Sequence, residues 1–89
     1  MPTGPDAEAV VEVRVELKPG ILDAEAENVE KALGLLRITP VPRVVTARIY
    51  ELHFRGVSLD EAEARAREAV DRLLANPVVH QVAIRRLTP

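Results

Sequence analysis

Cysteine, serine and histidine, which often act as nucleophiles or metal ligands, are few in this sequence. There is no cysteine, which excludes thiol nucleophiles, disulfides and cysteine-ligated zinc. The single serine, Ser58, begins the run Ser58-Leu59-Asp60-Glu61. This run is a capping box, in which the serine hydroxyl and the Glu61 carboxylate bind free N–H groups at a helix start. We therefore predict a structural role for Ser58.

The two histidines, His53 and His80, would meet only if their strands were neighbours. Two imidazoles without a third ligand are a weak sign of a metal site, and surface positions on strands explain both residues. An enzyme that uses Arg48, His53 and His80 is the least favoured alternative, because all three would have to converge in one pocket. We expect no catalytic residue, no cofactor and no metal.

Length and composition favour one small domain that is not a nucleic-acid or membrane protein. The chain has 89 residues and a net charge of -2, with basic and acidic residues interleaved. It has one Phe, one Tyr and no Trp, so no aromatic platform could stack bases. No apolar run reaches membrane-spanning length and no secretion signal is present, so we expect a cytoplasmic protein.

The domain itself should occupy residues 9–89. Residues 1–8 contain Pro2, Gly4 and Pro5 and show no periodicity, which indicates a flexible tail. A domain of this size is only marginally stable alone, and oligomerisation is a common remedy.

The pattern of the first half of the domain predicts a strand followed by a helix. Residues 11–17 alternate apolar and charged side chains, which predicts a strand with one face in water. In Lys18-Pro19-Gly20-Ile21 the glycine accepts the positive φ of a type II turn. Asp23 can then cap a helix that Gly34 closes in the left-handed conformation. Apolar residues recur along it at helical spacing: Leu22, Ala26, Val29, Leu33 and Leu36.

The next β-rich stretch, residues 44–54, has an inconsistent pattern. One set of apolar residues ends at Ile49, and a second set on the opposite face starts at Tyr50. One flat strand cannot keep both sets on the same side, because its side chains alternate. We predict a bulge, a bend or a split near residues 47–50. Alternatively, helices bury one face and another subunit buries the other.

The last helix starts at the capping box and ends before a proline. Asn76 and Pro77 cannot continue a helix, so a strand over residues 78–87 follows at once. Three Glu–Arg pairs at i,i+4 spacing should stabilise the helix by roughly 0.2–0.5 kcal/mol each. The arginines at residues 65, 67 and 72 therefore belong to a solvated face. The predicted buried stripe is Ala62, Ala66, Ala69, Val70 and Leu73.

These elements predict an α+β fold of order β-α-β(β)-α-β. The compact arrangement is a small, mostly antiparallel sheet with two helices on one face, related to ferredoxin-like plans. The opposite sheet face is only partly polar, so an oligomer could form there.

The order of four runs resembles the PurS family, the small subunit of phosphoribosylformylglycinamidine (FGAM) synthase. The first two runs are Val13-Arg14-Val15-Glu16-Leu17-Lys18-Pro19-Gly20-Ile21-Leu22-Asp23 and Lys31-Ala32-Leu33-Gly34. Tyr50-Glu51-Leu52 and Leu73-Leu74-Ala75-Asn76-Pro77-Val78-Val79 follow. Two features depart from the family pattern: Ala47-Arg48 stands where relatives often have Gly-Lys, and the loop at residues 35–42 is longer.

The resemblance implies a subunit without catalytic residues of its own. It would bridge the glutaminase PurQ and the ATP-dependent synthetase PurL, and would support ammonia transfer between them as a homodimer or higher oligomer. The alternative is a free-standing dimeric ligand-binding regulatory domain on the same scaffold. Arg43 and Arg48 flank the irregular stretch and are the best candidates for contacting a partner or an anion. We expect the partner interface to include Arg43, Arg48, Tyr50, Leu52, Asn76 and Pro77.

Overall fold

The computed structural model describes residues 8–89. The tail predicted at residues 1–8 therefore lies outside it, except for Glu8, which begins the first strand. Within the described range the chain forms β1 (Glu8–Leu17), α1 (Ala24–Leu35), β2 (Ala47–Arg55), α2 (Leu59–Ala69), a π-helical turn (Val70–Leu74) and β3 (His80–Arg86).

The three strands form one antiparallel sheet in the order β2-β1-β3. Val11 and Val13 of the central strand are fully buried against Ala62 and Ala66 of α2. The methyl side chains of the two alanines let the helix approach the sheet closely. The predicted α+β class and the order of the elements are confirmed. We call the side of the sheet that carries α2 the core face.

β2 is one continuous strand, so the bulge, bend or split predicted near residues 47–50 is wrong. Its pairing with β1 runs unbroken over Ala47–Arg55. The register places Tyr50, Leu52 and Phe54 on the core face, where they pack against the valines of β1. Ile49 points to the other face and is half exposed. The apolar residues before Tyr50 therefore lie outside this chain's core.

α2 begins at the predicted capping serine. The Ser58 Oγ accepts a hydrogen bond from the Glu61 N–H at 3.1 Å. The Glu61 carboxylate contacts Arg65 at 3.3 Å, so the serine half of the capping box is the half that forms. The i,i+4 ion pairs are confirmed at 3.0 to 3.4 Å: Glu61–Arg65, Glu63–Arg67 and Glu68–Arg72.

The helix widens after α2, and this change reverses the roles of two leucines. The Ala75 N–H donates to the Val70 carbonyl at 3.3 Å, an i to i+5 bond. The core position after Val70 is therefore Leu74, which packs against the core cluster. Leu73 is 82% exposed, so its predicted place in the buried stripe is wrong. The last strand begins at His80, two residues later than predicted.

The start of α1 follows the sequence closely. Gly20 has a φ of +88°, as the type II turn requires. The Asp23 carboxylate accepts from the Ala26 N–H at 2.9 Å and from the Thr46 hydroxyl at 2.7 Å. Hydrogen bonds from the Ala26 backbone and from Thr46 hold the pKa of Asp23 below its ordinary value of 3.8. This carboxylate both caps α1 and fastens it to the segment that leads into β2.

The end of α1 differs from the expectation, because Gly34 stays helical. Arg37 takes the left-handed conformation instead, with a φ of 60°. The Arg37 N–H donates to the Gly34 carbonyl, and the Ile38 N–H donates to the Leu33 carbonyl, both at 3.0 Å. These two bonds form a Schellman motif whose left-handed residue is an arginine rather than a glycine.

The two helices differ in their packing on the sheet. α2 packs against β1 and β3, whereas α1 makes no comparable contact with a strand or with α2. Ala26 is the only buried residue of α1. The radius of gyration is 17.2 Å, compared with about 12 Å for a compact domain of this length. Within residues 8–89, α2 is therefore the helix that covers the core face, and α1 extends away from it.

Candidate partner-binding surface

The core face is only partly covered, because α2 lies over β1 and β3 and leaves β2 at the side. The core-face side chains of β2 alternate with its solvent-facing ones and are only partly buried, apart from Arg48, which is exposed. We call this set the β2 row: Arg48, Tyr50, Leu52 and Phe54. Two residues predicted for the partner interface, Tyr50 and Leu52, thus lie beside the core with one side open.

A cleft of about 310 Å³ opens where β1 ends and β2 begins. Val15 and Leu17 of β1 line it together with Leu74 of the π-helical turn. Polar groups surround these apolar side chains. They come from β1, from α1 and the segment after it, and from β2 and β3: Glu16, Glu25, Thr46, Arg48, Tyr50 and His80.

Arg43 and Arg48 differ from most arginines of this chain. Within residues 8–89, seven of the ten arginines have a carboxylate within 4.0 Å, and Arg37, Arg43 and Arg48 do not. Arg48 lines the cleft, and Arg43 lies in the segment before β2, beside the type II turn. Both guanidinium groups are exposed and available to a carboxylate on another chain.

Asn76 and Pro77 form the turn between the π-helical turn and β3. The Asn76 side-chain carbonyl accepts from the Val78 N–H at 3.0 Å, and the Asn76 N–H donates to Nδ1 of His80 at 2.9 Å. The Lys18 ammonium donates to the Pro77 carbonyl at 2.6 Å. These bonds give the two residues a local structural role, while the exposed Pro77 ring and Val78 still face outwards.

The structure separates the two histidines of the least favoured enzyme alternative, although Arg48 and His80 line the same cleft. His53 pairs with Val10 near one end of β1, and His80 pairs with Leu17 near the other. Seven residues of strand span about 24 Å, so the two imidazoles do not converge. Arg48 lies on the core face of β2, whereas His53, an odd number of residues away, lies on the opposite face.

The opposite face of the sheet is charged and largely paired within itself. Arg85 contacts Glu12 at 3.2 Å, and Gln81 donates to Glu16 at 2.6 Å. His53 lies between Glu8 and Glu51, with nitrogen–oxygen distances of 3.0 and 2.9 Å. Hydrogen bonds to Glu8 and then to Glu51 hold the pKa of His53 above its ordinary value of 6.5. Most of these charged groups already have partners, so the core face is the better candidate for a docking site.

The sequence did not indicate that α1 and the segment after it would extend from the body. We call residues 18–46 the arm. The Glu30 carboxylate accepts from the Val44 N–H at 2.9 Å, and Val41 lies against Gly34, so the segment runs back along the helix. Several large apolar side chains of the arm are at least 40% exposed: Ile21, Leu22, Val29, Leu35, Leu36, Ile38, Val41 and Val45. The helical spacing of those on α1 was visible in the sequence, but their exposure among the described residues was not.

Together, the exposed apolar arm and the partly uncovered sheet define a small α+β module of the kind that assembles with other chains. The family model for PurS, described as phosphoribosylformylglycinamidine (FGAM) synthase, matches residues 10–88. The chain belongs to the PurS family.

Known relatives match nearly the whole chain. The PurS subunit of Archaeoglobus fulgidus is 37% identical over 75 residues, covering 84% of this chain and 94% of the relative. The structure of Thermus thermophilus PurS is 34% identical and has a TM-score of 0.74, covering 92% of this chain and all of that one. A chain in the structure of PurLQS from Thermotoga maritima has the same fold, with a TM-score of 0.82 at 22% identity over 91% and 99% of the two chains.

The helices within residues 8–89 are all too short or too polar to cross a membrane.

Proposed function

We propose that this chain is the non-catalytic PurS subunit of a cytoplasmic FGAM synthase, which acts in de novo purine biosynthesis. It associates with itself and bridges the glutaminase subunit PurQ and the synthetase subunit PurL. The match of the PurS family model to residues 10–88 carries the proposal. Family membership favours this function over a free-standing regulatory domain.

The chemical need for such a subunit lies in the ammonia that passes between two active sites. Ammonia that escapes into water at neutral pH is protonated, and ammonium has no lone pair with which to attack. A chain that holds the glutaminase and the synthetase together in a fixed arrangement keeps the ammonia away from bulk water. The arm and the β2 row supply surface for this role, because both present apolar side chains outside the chain's own core.

The proposal can be tested with PurL and PurQ of the same organism. FGAM formation is measured with and without this chain, first with glutamine and then with ammonium chloride as the nitrogen source. The glutamine reaction should need the chain, whereas the ammonium reaction, which bypasses PurQ, should need it much less. Full glutamine-dependent activity of PurL and PurQ alone would show that the chain has no bridging role.

A binding measurement separates assembly from catalysis. Sedimentation of the three proteins together should give a species heavier than any pair. A mixture in which this chain sediments alone, under conditions where glutamine is consumed, would overturn the proposal.

A further inference from the structure

β3 lies at one edge of the sheet, and every second residue of this strand presents free backbone groups there. The Lys18 N–H donates to the Val79 carbonyl at 2.8 Å, and the Leu87 N–H donates to the Val10 carbonyl at 2.9 Å. The odd-numbered residues of β3 are therefore the ones that bond to β1. Backbone groups alternate in direction along a strand, so the even-numbered residues direct theirs away from the sheet. We call these groups the β3 edge: the N–H and C=O groups of Val82, Ile84 and Arg86.

The two edges of the sheet differ in how well they are protected. By the same alternation, the odd-numbered residues of β2 direct their backbone groups outward, and three of them lie in a charged cluster: Glu51, His53 and Arg55. Charged side chains along an edge oppose pairing with another chain. The β3 edge lacks this protection, because Val82 and Ile84 are apolar and Asp60 and Glu63 hold the Arg86 guanidinium against α2.

An apolar groove runs beside the β3 edge on the core face. Two adjoining cavities of about 520 and 230 Å³ share Val70, Asp71 and Val82 as walls. Ala75 lines the larger cavity and Ile84 lines the smaller one. We call this surface the β3 groove. The side chains of Val82 and Ile84 lie on the same face as the buried valines of β1. A strand added at the edge would therefore direct every second side chain into the groove.

The rim of the β3 groove carries a carboxylate without a cation. Asp71 lines both cavities, and no basic group within residues 8–89 lies within 4.0 Å of it. Arg67, on the same rim, is bound to Glu63 at 3.4 Å. A lysine or arginine of another chain is therefore the best complement for Asp71.

We propose that the β3 edge takes up an extended segment of another subunit as a fourth strand. The segment pairs with the outward backbone groups, places apolar side chains at alternate positions in the β3 groove, and carries a basic residue that reaches Asp71. The inference rests on the bridging role proposed above and specifies a surface for it. This surface lies across the sheet from the β2 row.

A second copy of β3 fits the edge less well than a different chain does. The one arginine on its core face, Arg86, is already bound to Asp60 at 2.7 Å and to Glu63 at 2.9 Å. His80 of the same face accepts a hydrogen bond from the Asn76 N–H at 2.9 Å. Self-pairing would therefore bring no free cation to Asp71.

Amide hydrogen exchange tests the pairing residue by residue. The isotope-labelled chain is exchanged in D₂O alone and in complex with PurL and PurQ, quenched, and analysed by NMR. In the isolated chain the N–H groups of Val82 and Ile84 should exchange faster than those of Ala83 and Arg85, which bond to β1. In the complex, exchange at Val82 and Ile84 should slow by about tenfold or more, because they gain hydrogen bonds. Ala83 and Arg85 should change much less.

Other exchange results would contradict the proposal in recognisable ways. Protection of Val82 and Ile84 in the isolated chain, increasing with its concentration, would show that a second copy occupies the edge. A complex in which both groups still exchange rapidly would overturn the inference and leave the bridging role intact. Failure to form any complex would overturn the bridging role and this inference together.

A matched pair of variants tests the β3 groove. Val82 is 36% exposed, and Val82→Lys places a charge on the groove side of β3. It should weaken binding to PurL and PurQ about tenfold or more, the scale of a central interface residue. Ala83→Lys adds the same charge one residue away, on the opposite face of the sheet, and should bind nearly as the wild type does. Equal binding by the two variants would overturn the proposal.

A variant of an exposed side chain provides a check that does not depend on the packing of β3. Asp71→Lys reverses the free charge on the rim and should weaken binding in the same direction as Val82→Lys. Urea unfolding of each variant establishes that the fold is retained. Unchanged binding by Asp71→Lys would show that no basic residue of the partner reaches this carboxylate, contrary to the proposal.

Discussion

His53 is held by carboxylates on both of its ring nitrogens: Glu8 Oε2 lies 3.0 Å from Nδ1, and Glu51 Oε1 lies 2.9 Å from Nε2. A neutral imidazole can donate from only one nitrogen, so this arrangement suits the imidazolium form. The cluster joins the start of β1 to the end of β2 on the charged face of the sheet. Its strength must therefore depend on pH.

The first prediction concerns stability between neutral and alkaline pH. The pKa of His53 is raised in the folded chain, so its contribution is fully present below the unfolded value of about 6.5 and is lost as the pH rises through the folded value. The pKa of Glu8 is lowered, mainly by its hydrogen bond with His53, so that contribution is lost on acidification. Urea unfolding at a series of pH values should show the alkaline loss.

His53→Gln is the matched variant, because glutamine keeps hydrogen-bonding groups but does not titrate. The difference in unfolding free energy between wild type and variant should shrink as the pH rises above the His53 pKa. An NMR titration of the imidazole gives that pKa directly, and a value at or below 6.5 would contradict the prediction.

A second prediction uses the neighbouring leucines of the π-helical turn. Leu74→Ala removes a side chain packed against the core and should destabilise the fold by about 2 kcal/mol. Leu73→Ala removes a side chain that is 82% exposed and should change stability by less than about 0.5 kcal/mol. Chemical denaturation of both variants provides the comparison. A regular α-helix through this region would give the opposite ranking, because Leu73 would then face the sheet.

The third prediction concerns the end of α1. Arg37→Gly relieves a left-handed residue and should stabilise the last turn by about 0.5–1 kcal/mol. Gly34→Ala should also stabilise α1, because Gly34 is helical and an added Cβ meets only Val41 Cγ2, at an ordinary 3.6 Å. Amide hydrogen exchange of α1 is the suitable measurement, since this helix does not pack against the body. Faster exchange in Gly34→Ala would mean that Gly34, not Arg37, closes the helix.

Local signals predicted the points where elements begin. Gly20, Asp23 and Ser58 act within three residues of themselves, and each is found in its predicted role. The alternation of residues 11–17 likewise predicted a strand, and the structure places this strand at the centre of the sheet. These features depend on short-range sterics and hydrogen bonds, which the sequence encodes directly.

Features that depend on distant packing were missed. The register of the leucines after Val70 depends on which side chains pack against the core of the sheet. The residue that closes α1 depends on where the chain turns back along the helix, because Val41 of the returning segment lies against Gly34. The apolar periodicity of α1 is that of a core helix, but α1 does not pack on the sheet, and Ala26 is its only buried residue. Of the expected interface residues, Tyr50 and Leu52 lie together on the β2 row, whereas Asn76 and Pro77 occupy a separate turn.

The last prediction tests whether Arg43, in the arm, meets another subunit. Arg43 is exposed and has no ion-pair partner within residues 8–89, and it lies beside the type II turn. If it binds a carboxylate on PurL or PurQ, reversing its charge adds repulsion to the lost contact. Arg43→Glu should then weaken assembly about tenfold or more, the usual scale for a buried interface arginine. Glutamine-dependent FGAM formation should fall in parallel, and the ammonium-dependent reaction should change little.

Arg65→Glu is the control, because it makes the same charge change on the solvated face of α2 and lies far from the arm along the chain. It breaks the exposed pair with Glu61 and leaves two carboxylates at i,i+4 spacing, and each effect is worth a few tenths of a kcal/mol. Titrating each variant into PurL and PurQ, with glutamine turnover as the readout, gives the two apparent affinities. If both variants weaken assembly equally, net charge rather than Arg43 governs docking. If neither does, Arg43 lies outside the interface, and Arg48 becomes the arginine to test.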